Sequence, residues 1–89
     1  MTLNKQMQTY ETITMDARTF KQIWSTLGRN ERIVLNERLI HNMNVTRQTV
    51  NNWSLGKTCP HYDSAKKEVA RIVNQTLGIN TNYRTLFPV

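Results

Sequence analysis

Cysteine is almost absent. The 89-residue chain has one, Cys59, so no internal disulfide can form. A structural zinc site needs about four ligands, usually in spaced pairs. Cys59, His41 and His61 offer no such pairs, so no metal is expected. Long apolar runs are also missing. Nothing approaches the roughly 20 apolar residues of a membrane helix, and no membrane role is expected. No apolar run follows Met1-Thr2-Leu3-Asn4-Lys5-Gln6, so no secretory leader is expected and the cytoplasm is the expected location. Acidic residues are scarce: six Asp and Glu face 12 Lys and Arg, a net charge of +6. A basic surface attracts polyanions, with nucleic acid first and an anionic membrane surface second. Catalytic signatures are missing too. There is no nucleophile elbow, no Gly-rich phosphate loop and no usefully spaced carboxylate pair. The expectation is a protein that is not an enzyme, with no cofactor and no small-molecule ligand.

What is present fits one small all-α domain, a compact bundle of four to five short helices. Residues 1–14 are polar and Thr/Gln-rich and are expected to form an N-terminal arm. Residues 15–78 hold the periodic apolar pattern. Residues 79–89 form an apolar tail that either packs on the domain or contacts a second copy.

The first helix is expected from about Asp16 to Leu27, with Phe20, Ile23, Trp24 and Leu27 on one face, Asp16 at its start and Gly28 as its stop. A second is expected from about Asn30, as N-cap, to Met43. Leu35, Leu39 and Met43 form its ladder with support from Ile40, and Ile33 and Val34 leave its inner edge undecided. The third runs from about Thr46, a good N-cap, to Leu55, and Gly56 ends it. The fourth runs from about Asp63 to Leu77, with Ala65, Val69, Ile72, Val73 and Leu77 inward and Gly78 as its stop.

The third helix is unusual. Val50 and Trp53 are its anchors, and Val45 closes the corner before it. The opposite face carries Arg47, Gln48, Asn51 and Asn52, with no carboxylate in the segment. Arg can bond guanine O6 and N7 together, and Gln or Asn can do the same with adenine N6 and N7. These four are the expected base-contacting residues. Lys57 lies just past the helix end and can reach a phosphate. Asn36, Arg38, Thr46 and Thr49 are further candidates for backbone contacts. The turn before the helix centres on Asn44, the residue after Gly most tolerant of left-handed geometry.

Residues 39–60 resemble the phage-repressor helix-turn-helix family (XRE-type), which includes lambda repressor and Cro. Leu39, Met43, Asn44, Val45, Thr46, Arg47, Thr49, Val50, Trp53, Gly56, Lys57 and Pro60 carry the resemblance. The family string is Leu-Ala-x-x-Leu-Gly-Val-Ser-x-x-Thr-Ile-x-x-Trp-x-x-Gly-Lys-x-x-Pro. Ile40 stands where the family usually has Ala, and Asn44 replaces Gly. The resemblance implies a transcriptional regulator in which Arg47, Gln48 and Asn52 read bases. It also implies that Thr46, Lys57 and Asn36 touch phosphate. Double-stranded DNA is the expected partner, and symmetric operators imply a homodimer.

The alternative is a protein-interaction module on the same helix-turn-helix fold, working through Tyr83, Leu86 and Phe87 of the tail. The position of the positive charge separates the two readings. DNA as partner requires Arg29, Arg32, Arg38, Arg47 and Lys57 to line one face.

Overall fold

Helix starts in this chain follow the need to satisfy the free amides of a first turn. The computed structural model describes residues 15–88. The expected N-terminal arm, 1–14, lies outside them, as does Val89. The described residues form an all-α bundle of five helices: α1 Phe20–Thr26, α2 Arg29–Met43, α3 Arg47–Ser54, α4 Asp63–Leu77 and α5 Tyr83–Leu86. None is long and apolar enough to cross a membrane.

The first helix starts later than its apolar spacing suggests. Thr19 caps it in a reciprocal box: the Gln22 amide donates to Thr19 Oγ1, and the Thr19 amide donates to Gln22 Oε1. Asp16 is therefore not at a helix start. Its backbone amide donates to the Asn80 carbonyl at 2.7 Å, and its carboxylate pairs with Arg18. Gly28 does not stop α1 either. Leu27 ends it in an extended conformation, and Gly28 becomes the N-cap of α2, its amide bonded to Glu31 Oε1. Asn30 lies within the first turn of α2, not at the cap.

The helices share one core. Phe20 and Ile23 of α1, Leu35 and Leu39 of α2, Val50 and Trp53 of α3, and Val69, Ala70, Ile72 and Val73 of α4 are all buried. Neither Ile33 nor Val34 joins them; both remain exposed. The C-terminal segment completes the core through Leu86 and Phe87. Phe87 stacks on Phe20 with centroids 5.5 Å apart and meets Trp53 edge-on at 6.2 Å. One aromatic ring thus ties α1 to α3. The chain reaches this position through a clamp at Asn74, whose Oδ1 accepts from both the amide and the hydroxyl of the buried Thr81. Burial of Leu86 and Phe87 removes two of the three residues that the tail-mediated interaction reading needs on the surface.

Candidate nucleic-acid interface

Three residues, Asn44 to Thr46, separate α2 from α3. Asn44 adopts left-handed geometry with φ 54° and ψ 47°, where its short polar side chain is tolerated better than most. Val45 is half-buried against the core. Thr46 then caps α3: its hydroxyl accepts from the Thr49 amide at 3.2 Å and lies 3.0 Å from the Thr49 hydroxyl. The other end of α3 closes with two crossed bonds, from the Gly56 amide to the Trp53 carbonyl and from the Lys57 amide to the Asn52 carbonyl. Gly56 has φ +75°, as this closure requires.

Between these caps the face of α3 is fixed. Val50 and Trp53 point inward and are buried. Exposed Gln48 and Asn51 and half-buried Asn52 lie away from the anchors, and Arg47 is exposed in the first turn, at the edge of the anchored face three residues before Val50. Gln48 Nε2 donates to Asn52 Oδ1 at 3.2 Å. The four expected base-contacting residues are thus brought together on one surface.

The expected phosphate contacts divide. Thr46 and Lys57 are exposed at the two ends of α3, with Thr49 half-buried between them. Asn36 and Arg38 do not act together. Two residues apart, they lie about 200° apart around α2, and Arg38 reaches across to the Thr76 hydroxyl of α4.

The five named cations do not line one face, so the charge pattern expected to separate the two readings does not favour DNA. Arg29 and Arg38 stand on opposite sides of α2, about 180° apart, and Arg32 donates to the Trp24 carbonyl of α1. The sequence reading missed a cation that does join α3. A Cβ placed on Gly56 would lie 3.2 Å from the Lys21 side chain, so Lys21 of α1 stands beside Gly56 and Lys57. Lys21 and Lys57 line one open cleft of about 360 Å³. Nothing in the local sequence signals this approach, because it depends on how α1 packs on α3.

Among the described residues, ion pairs join Arg18 to Asp16 and Arg71 to Glu68, which leaves Arg47 and Lys57 without a carboxylate partner there. Hydrogen bonds from Arg18 hold the Asp16 carboxyl below the usual carboxylate range, and Arg71 does the same to Glu68. Both carboxylates lie off α3. A second cleft, about 420 Å³, runs beside α3 and is lined by Thr49, Asn52, Trp53, Cys59, His61 and Tyr62. Cys59 is half-buried there and His61 is exposed.

Compared with protein-family models, with curated proteins and with solved structures, the chain has no significant match.

Proposed function

We propose that the protein binds double-stranded DNA in a sequence-specific way, as a transcriptional regulator of the phage-repressor kind. In this reading α2 and α3 act as a helix-turn-helix and α3 enters the major groove. One observation carries the reading: α3 is capped at both ends and pinned from behind by Val50 and Trp53, and it presents Arg47, Gln48, Asn51 and Asn52 outward with no carboxylate among them. Side chains held on a fixed helix meet base edges with little ordering cost.

The amide pair adds chemical detail. The bond from Gln48 to Asn52 leaves the Gln48 Oε1 acceptor and the Asn52 Nδ2 donor available. Adenine presents the complementary pair in the major groove, a donor at N6 and an acceptor at N7. Arg47 suits guanine O6 and N7. Lys57 and Lys21 flank the C-terminal end of α3 and suit adjacent phosphates, with Thr46, Thr49 and Asn36 as polar contacts. Arg38 is directed to α4 and is left out of the interface. A homodimer on a symmetric operator accompanies this reading.

Titration of a labelled duplex pool against the intact chain and an Arg47→Ala/Gln48→Ala variant, followed by fluorescence anisotropy, tests it. Binding by the intact chain with discrimination among sequences, and loss of that discrimination in the variant, supports the reading. Equal behaviour of the two chains contradicts it.

A further inference from the structure

The cleft that Lys21 and Lys57 share differs from its neighbours in what lines it. Its floor is aromatic: Phe20, Trp53 and Phe87 close it from below, with Phe87 joined to both other rings. Lys21, Lys57 and Thr58 stand exposed around that floor, and no Asp or Glu lines it. The cleft under Arg84 includes Asp63, and the wider cleft beside α3 has no Lys or Arg in its lining. The volume, about 360 Å³, falls in the range of small-molecule sites. Such sites are largely apolar, with a few polar groups that fix orientation.

The backbone brings the two cations together. The Lys21 stem lies against Gly56, where a Cβ would come within 3.2 Å of it, and Lys57 is the next residue in the chain. Neither lysine has a carboxylate partner among the described residues. Like charges on one rim repel each other, and a bound anion relieves that repulsion. A bare inorganic anion leaves the aromatic floor uncovered. A neutral ring leaves the lysines unpaired. A ligand that satisfies both parts carries an acid group and an apolar body.

We propose that this cleft binds a small organic acid with a flat apolar body, its carboxylate held by Lys21 and Lys57 and its ring laid on the aromatic floor. The site itself does not depend on the DNA reading of α3, but its consequence does. Lys21 and Lys57 are the cations assigned to phosphates at the end of α3, so the acid and DNA compete for them. Arg47, Gln48, Asn51 and Asn52 do not line the cleft. The acid therefore loosens the backbone contacts and leaves the base contacts free. The coupling is reciprocal: DNA weakens acid binding by the same factor.

Titration of the full chain with naphthoate, followed by amide and indole NMR shifts, tests the site without DNA. Saturable shifts centred on Lys21, Trp53, Gly56 and Lys57 are expected. Neutral naphthamide and inorganic phosphate should each bind at least about tenfold more weakly, because one lacks the charge and the other the apolar body. Lys21→Met/Lys57→Met keeps the stems and removes both charges, and should bind naphthoate no better than the parent binds naphthamide. Circular dichroism checks that the variant is folded. Four results each overturn the site: no saturable shift, shifts centred elsewhere, phosphate or naphthamide bound as tightly as naphthoate, or undiminished binding by the variant. Anisotropy of a labelled duplex, with and without naphthoate at constant ionic strength, tests the consequence. Saturating naphthoate should weaken DNA binding at least about tenfold and reduce the slope of log affinity against log salt by about two, with sequence preference retained. Bound naphthoate with DNA affinity unchanged overturns the competition and leaves the α3 reading standing. Naphthoate binding by a chain that binds no DNA keeps the site and overturns the α3 reading, and the competition with it.

Discussion

Gln48 and Asn52 are joined across one turn of α3, with Gln48 Nε2 donating to Asn52 Oδ1 at 3.2 Å. The bond sets which amide atoms face outward, so under the proposed DNA reading the two side chains would act as one unit on a base pair. Gln48→Ala and Asn52→Ala should each relax preference at a base pair by about 1–3 kcal/mol. Because the unit is shared, the double variant should lose less than the sum of the singles. Competition binding against duplexes substituted one pair at a time checks this, and strictly additive losses would separate the two residues.

Lys57 and Lys21 should act on every sequence alike. With Arg47 they make three cations at α3, fewer than the five that the sequence suggested. The predicted slope of log affinity against log salt is therefore about −3 for each protomer, where five cations predict −4 to −5. Lys57→Ala and Lys21→Ala should each reduce that slope by about one. A salt titration of anisotropy binding measures it, and a loss confined to one sequence would contradict the phosphate role.

Phe87 holds α3 from behind through its contacts with Phe20 and Trp53. Truncation of a buried aromatic costs about 3–5 kcal/mol, a large share of the stability of a small domain. Phe87→Ala should therefore lower the midpoint of chemical denaturation sharply, and DNA binding should fall with it as α3 loses its support. A variant as stable as the parent would remove Phe87 from the core account.

Asn44 occupies left-handed backbone without being glycine. Asn44→Gly should leave stability unchanged or slightly raised, whereas Asn44→Ala should cost about 1–2 kcal/mol. Urea denaturation of the pair distinguishes the cases, and equal stability of the two variants would contradict the backbone argument.

Acid should weaken the Asp16 junction. Hydrogen bonds from Arg18 lower the Asp16 pKa in the folded chain relative to the unfolded one. Stabilisation from this source is present at neutral pH and is lost as pH falls through the folded pKa, below about 4. Asp16→Asn should flatten the stability curve between about pH 5 and 3. Parallel acid titrations followed by circular dichroism measure it.

Much of this arrangement is legible in the sequence, and the exceptions have physical causes. The ends of α3 and α4 are encoded locally, by Thr46, Gly56 and Gly78, and the structure places them close to where those residues predict. The start of α1 was encoded too, by the Thr19-x-x-Gln22 box, but the charge of Asp16 competes as a signal and points three residues too early. The opposed directions of Asn36 and Arg38 follow from helical periodicity alone. The partnership of Phe20 with Phe87 and the approach of Lys21 to Gly56 join positions far apart in the chain, and no local pattern announces them. The outward face of α3 was fully visible, because two anchors, Val50 and Trp53, decide which side points away.

Selection from a pool of random duplex DNA, with sequencing of the bound fraction at moderate salt, tests the central claim most directly. The account predicts a recovered motif, and an inverted repeat with half-sites about one helical turn apart if a two-fold dimer binds. It also predicts that the motif disappears when Arg47, Gln48, Asn51 and Asn52 are replaced together by alanine. Recovery of DNA without any motif, or of no DNA at all, would contradict base recognition by α3.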